Sequence, residues 1–195
     1  MGLNLRYEDM SVGPKKGVMI FDMRDAKTGE QLAYWEKKNL IVTDAGILGA
    51  SLFSNDAVNP SGLLMLAIGT GGGAPVLSPP APTALQRSLN TEIERKTFSS
   101  KVYRNSSGVA VSIRTNIVDY SVTFAEAEAN GALNEMGLIS PFSASVAVTN
   151  PITTTTPYDE TVDVTGKDLM VNYLTFGVIT KPATATLTIT WRLTF

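Results

Sequence analysis

Few side chains in this 195-residue chain can do acid–base or metal chemistry, because it contains no histidine and no cysteine. That removes the commonest general base and the thiolate ligands of zinc and iron–sulfur sites, and it excludes disulfides. Carboxylates, lysines, tyrosines and serines remain. Glycoside hydrolysis needs two carboxylates flanking one bond, and the candidates are Glu126, Glu128 and Glu135. Glu126 and Glu128 sit beside a turn, where such a pair more often keeps the turn solvated. Glu135 lies in Leu133-Asn134-Glu135-Met136-Gly137-Leu138-Ile139, among apolar residues. A carboxylate there is expected to accept backbone amides from the Asn130-Gly131 turn or to pair with an arginine, a structural role. Calcium needs clustered oxygens, and Asp159, Glu160, Asp163 and Asp168 match no EF-hand spacing. The expectation is a chain with no catalytic, cofactor or metal residues.

Leu63 to Ile68 is an apolar run followed by Gly69-Thr70-Gly71-Gly72-Gly73. Phosphate-binding glycines must open a helix or lead into Gly-Lys-Ser/Thr. Here they run into Ala74-Pro75-Val76-Leu77-Ser78-Pro79-Pro80-Ala81-Pro82, and prolines block an immediate helix. The expected form is a strand leaving the core into a proline-rich surface loop, 71–82.

Charge narrows the partners. With 18 acidic and 16 basic residues the net charge is -2, against the clustered cations that nucleic-acid backbones require. Lys15-Lys16 and Lys37-Lys38 read as solvated turns or strand ends. No apolar stretch approaches the roughly 18 residues of a spanning helix, and Met1 to Met10 lacks the apolar core of a signal peptide.

The elements that must position these residues are mostly strands. From Leu187 to Phe195 the odd residues are apolar and the even ones threonine or arginine. That is the period of a strand with one buried face, so Trp191 is expected in a core. Lys16 to Asp25, the turn Lys27-Thr28-Gly29-Glu30, and Gln31 to Trp35 read as a hairpin. Tyr34 and Trp35 are consecutive, so they point to opposite faces, one to a core and one to an interface. Thr43 or Asp44 is expected to cap a short helix carrying Ile47, Leu48, Leu52 and Phe53. Thr83 is expected to cap a second, in which Leu85, Leu89 and Ile93 form a stripe, with Arg95-Lys96 near its end. Val109 to Phe124 alternates with a change of phase near Asn116-Ile117, and Leu133 to Ser140 reads as its return strand. Residues 143–165 form a threonine-rich loop. Asp168 to Val178 is another strand, and Lys181-Pro182 turns into the last. Fold class is therefore mainly β, an antiparallel β-sandwich with two short helices, in one domain over 1–195.

In order along the chain, these segments resemble a group of tailed-bacteriophage virion proteins found among tail, baseplate, fibre-attachment and neck or collar components. The matching pieces are Asn39-Leu40-Ile41-Val42-Thr43-Asp44-Ala45-Gly46, Ile68-Gly69-Thr70-Gly71 and Thr83-Ala84-Leu85. They continue with Phe124, Asn130-Gly131, Glu135, Gly137-Leu138, Phe176, Ile179, Lys181 and Leu187-Thr188-Ile189-Thr190-Trp191. The resemblance implies a non-enzymatic structural component, located in the virion and in host cytoplasm before assembly. Its implied partners are itself, as a homo-oligomeric ring or trimer, and other virion proteins, with no nucleic acid and no membrane. Glu135, Gly137, Phe176, Lys181 and Trp191 would be architectural, and Tyr34 and Trp35 interface candidates. The alternative is a carbohydrate-binding sandwich acting in host-surface recognition, which needs an exposed aromatic platform drawn from Tyr34, Trp35, Tyr103 and Tyr158.

Overall fold

A computed structural model describes residues 16–54, 62–72, 76–141 and 168–195. The hairpin of the alternating N-terminal run forms as β1 (Lys16–Asp25) and β2 (Gln31–Lys38). Its turn is held by Asp25, whose Oδ1 accepts the amides of Lys27 and Thr28 at 3.0 and 2.8 Å, while Gly29 takes φ +72°. The remaining strands are β3 (Leu40–Ile41), β4 (Met65–Gly69), β5 (Glu92–Thr97), β6 (Ser100–Arg104), β7 (Ala110–Val111), β8 (Ile117–Phe124), β9 (Gly131–Ser140), β10 (Leu169–Lys181) and β11 (Ala185–Thr194).

All pairings are antiparallel, in two sheets: β2-β1-β11-β8-β6-β7 and β3-β10-β9-β4-β5. The sheets face each other across one apolar cluster. Met19, Phe21, Val122, Phe124, Leu187, Ile189, Trp191 and Leu193 come from the first, and Leu66, Ile68, Leu133, Met136, Leu138, Val171, Leu174 and Phe176 from the second. This is the expected β-sandwich arrangement. The final strand is not at an edge. β11 lies between β1 and β8, with Leu187, Ile189, Trp191 and Leu193 all at 0% exposure.

Connectivity departs from the expected hairpins. β8 belongs to the first sheet and β9 to the second, so Leu133 to Ser140 is no return strand for β8; it pairs β10 and β4. β10 and β11 likewise lie in different sheets. The turns at 125–130 and 182–184 are therefore crossings between layers. Each carries a strand whose apolar face looks the same from sequence whichever layer it joins.

One helix is present among the described residues, α1 (Asp44–Phe53), burying Ala45 and Leu48 in the central cluster. Neither expected side-chain cap forms: Thr43 has helical backbone and its hydroxyl bonds Ala84 O at 2.9 Å, while Asp44 pairs with Arg87 at 3.1 Å. The expected second helix is absent. Thr83 to Thr91 is irregular, and Glu92 begins β5. Of the supposed stripe, Leu85 is 77% exposed while Leu89 is buried. The spacing of four arose from a turn followed by a strand.

Residues 76–91 are fixed rather than loose. They strap the outer face of the second sheet, where Leu89 joins Val42, Met65, Ala67, Ile139, Met170 and Tyr173 in a second cluster. Asn134 clamps the start of the strap, accepting from Val76 N at 3.1 Å and donating to Val76 O at 3.2 Å. Val178 N donates to Val76 O at 3.0 Å, and Thr175 donates to Pro80 O at 3.1 Å. Proline carbonyls remain strong acceptors, so a proline-rich segment can be stitched down by donors from beneath. Loop 143–165 lies outside the described residues.

Candidate functional site

The polar chemistry converges under the strap, on Glu135. β9 places its side chain on the outer face of the second sheet, fully buried. Oε1 accepts the amides of Thr91 at 2.8 Å and Gly71 at 3.1 Å. Oε2 accepts the Asn90 amide at 3.0 Å, Asn90 Nδ2 at 3.2 Å and the Tyr173 hydroxyl at 2.7 Å. The donors come from the strap, the glycine segment after β4, and β10. None is an arginine, and none belongs to the Asn130-Gly131 turn as expected from sequence. The signal for this arrangement was the glycines: a Cβ on Gly69 would lie 2.3 Å from Thr91 O and 2.8 Å from Glu135 Oε1. The Gly-Thr-Gly element is therefore a place where two backbones and a carboxylate approach closely.

A carboxylate accepts about four hydrogen bonds through its lone pairs. Glu135 already receives five donor contacts, so its oxygens have no capacity for a substrate proton or a metal. Tyr173 is similarly committed. Burial, then the bond to Glu135, raises its phenol pKa well above the ordinary tyrosine value. A cleft of about 500 Å³ opens beside this cluster, lined by Pro79, Pro80, Thr83, Gln86, Asn90 and Tyr173 among others. Its polar groups hold the strap in place, with Asn90 Nδ2 donating to Tyr173 Oη at 2.9 Å.

Gly137 also sits at a close approach: a Cβ there would meet Met170 Sδ at 2.7 Å and Asn172 O at 2.9 Å. Lys181, 1% exposed, ends β10 by holding the 125–130 crossing. Its ammonium donates to Ala125 O at 2.8 Å and Asn130 Oδ1 at 2.9 Å, while burial lowers its pKa. Glu94 of β5 approaches the same crossing and accepts from Ala129 N at 2.7 Å, leaving its buried Oε1 without a hydrogen-bond partner. Burial raises its pKa. Glu128 pairs with Lys96 and accepts from Ala125 N at 2.7 Å, so it braces the turn, and its charge adds to the upward shift of Glu94.

Phe176, Trp35 and Phe21 form one aromatic group in the core. Phe21 and Trp35 stack at 5.0 Å, and Trp35 and Phe176 tilt at 5.2 Å. The two faces of β2 divide as alternation requires: Trp35 turns inward and Tyr34 outward, 52% exposed. Tyr103 lines a separate apolar groove of about 290 Å³ with Leu52, Leu63, Lys101, Tyr120 and Phe195. There burial lowers the Lys101 pKa and pushes Tyr120 up to about 12. Tyr158, Asp159, Glu160 and Asp163 lie outside the described residues. Asp168 bonds Arg95, which also pairs with Glu92 in a buried cluster.

Among the described residues no three carboxylates cluster as metal ligands, and no helix is long and apolar enough to cross a membrane. No protein-family model matches the chain, and no curated protein matches it.

Proposed function

We propose that this chain is a non-enzymatic structural component of a tailed-phage virion, working through subunit assembly in the tail, baseplate or neck. The supporting observation is where its most reactive polar residues spend their hydrogen bonds. Glu135 and Lys181, both inside the segments that carry the virion resemblance, are buried and committed to backbone and neighbouring side chains. That is the chemistry of a scaffold, in which buried charge fixes a loop or crossing in one geometry. The matched glycines serve the same end, since Gly69 and Gly137 permit contacts that any side chain would prevent. An aromatic sugar platform has weaker support, because the Trp35 ring is spent on Phe21 and Phe176.

The test is to purify particles of a phage that encodes the chain and assay them by mass spectrometry and antibody-labelled electron microscopy. The chain should be present at fixed stoichiometry at one station, and a phage lacking its gene should yield incomplete particles. Absence from purified particles would overturn the reading, and selective glycan binding by the isolated protein would favour host recognition.

A further inference from the structure

We propose that the groove between α1 and β6 binds a medium-chain alkyl carboxylate, with Lys101 taking the carboxylate and the leucine and tyrosine walls taking the chain. This goes beyond the virion reading and does not depend on it. Lys101 and Tyr103 are two apart along β6, so they share a face. Lys101 stands opposite Tyr120 of β8, which packs on the central cluster, so that face is the inner one. The groove's other wall is α1, with Leu48 and Leu52 one helical turn apart. Leu52 and Phe195 line it while 45% and 41% exposed, so the space of about 290 Å³ reaches the surface.

Charge selects the ligand's head. Lys101 is the one charged residue among the described residues that line the groove. An ammonium has three donors. One bonds Leu63 O at 3.0 Å, and the Tyr120 ring centre lies 6.0 Å away. No carboxylate among the described residues pairs with it. Burial lowers its pKa, and no acid offsets that cost. A partly desolvated cation without a counter-charge is stabilised by an anion that brings its own acceptors. The walls select the ligand's body. Beyond the ammonium they offer mainly hydrocarbon and two aromatic rings, so a small inorganic anion would leave them uncovered while an alkyl chain would not. A space of about 290 Å³ holds about ten non-hydrogen atoms at the roughly 30 Å³ that a water occupies. Octanoate has that size. The larger cleft under the strap has no charged lining residue among those described, so it supplies no such anchor.

The full chain is titrated with octanoate, octanol and octylammonium and followed by NMR shifts. Octanoate should bind about tenfold more tightly than octanol, the order of one charge-assisted hydrogen bond. Its shifts should centre on Leu48, Leu52, Tyr103 and Tyr120, and octylammonium should not bind. K101M should lose the octanoate advantage and still bind octanol. K101E should prefer octylammonium to octanoate, an inversion that lost packing alone would not produce. L52D, at an exposed position of the wall, should abolish octanoate binding and leave the rest of the spectrum in place. A parent chain that does not bind octanoate overturns the proposal, even if the chain is found in virions. So does equal affinity for octanoate and octanol, which would mark an adventitious additive only, or a response centred on the strap cleft.

Discussion

The Tyr173 hydroxyl donates to Glu135 Oε2 at 2.7 Å, bringing β10 to a carboxylate of β9 that already gathers Gly71, Asn90 and Thr91. The pair joins two neighbouring strands to two loop segments, so its removal should loosen the strap as well as the sheet. Glu135→Gln replaces an acceptor with an amide nitrogen that must face at least one backbone N–H, at a cost of about 3 kcal/mol. Tyr173→Phe leaves the four other contacts and should cost about 1.5 kcal/mol. Urea unfolding at unchanged slope measures both; equal costs would mean the hydroxyl, not the carboxylate, organises the cluster.

Asp119 should govern acid stability of the first sheet. Its carboxylate is buried and takes two bonds from Arg192, at 2.7 and 2.9 Å, and one from Arg104 at 2.8 Å. Burial alone would raise its pKa, but the arginine bonds and charges outweigh burial and lower it. A folded pKa below the unfolded one means protons bind the unfolded state better. The stabilisation is present above the ordinary aspartate range and is lost as pH falls through the folded value. Asp119→Asn should cost about 2 kcal/mol at neutral pH, kept modest because both arginines are partly solvated. The cost should shrink in acid, which unfolding of the two proteins across a pH series measures.

Glu94 has the opposite sign. Burial raises its pKa, so the folded state holds the proton more tightly than the unfolded chain. Stability from this group is full below the ordinary glutamate range and falls as pH rises through the raised folded value. Glu94→Gln should therefore be more stable than the parent at neutral pH and lose that advantage near pH 4, about the ordinary glutamate pKa. The difference between the two proteins isolates Glu94 from carboxylates such as Asp119 that titrate the other way. A pH-independent difference would assign the effect to packing.

The strap and the helix make a glycine contrast. A Cβ on Gly177 would sit 2.6 Å from Leu77 O, whereas one on Gly46 in α1 meets nothing within 4 Å. Gly177→Ala must push the strap backbone off β10, costing about 2 kcal/mol. Hydrogen exchange at Val178, whose amide bonds Val76 O at 3.0 Å, should report the loosening. Gly46→Ala should stabilise by about 0.8 kcal/mol through helix propensity alone.

Individual strands were more legible than their partners. Alternation from Leu187 to Phe195 identified a strand with a buried face, and Trp191 is where that face places it. Alternation says nothing about which layer receives the face. The chain crosses between sheets at 125–130 and 182–184, and each crossing looks like a hairpin turn in sequence. The stripe Leu85, Leu89, Ile93 misled for a related reason: spacing by four does not distinguish a helix from a turn that buries one leucine and then enters a strand. Glu135 stood out as an acid among apolar residues. Its donors did not, because they lie 38 to 64 residues away in sequence.

Deleting Trp191 to Phe195 should leave the chain unable to fold. Trp191 to Thr194 lie inside the first sheet, where Trp191 stands opposite Met19 on one side and Tyr120 on the other, and Leu193 opposite Gly17 and Val118. Removing a central strand end exposes the β1 and β8 ladders along that length. It also removes two side chains at 0% exposure, each worth about 2–3 kcal/mol of burial. Against a total stability of about 5–15 kcal/mol for a domain, that loss plus the orphaned backbone groups leaves little margin. The truncated chain should partition to the insoluble fraction on expression. Deleting Phe195 alone, 41% exposed and outside β11, should leave it soluble. Comparing the soluble fractions of the two truncations measures how much of the sandwich depends on the β11 centre, and a soluble, cooperatively unfolding 1–190 chain would show that it does not.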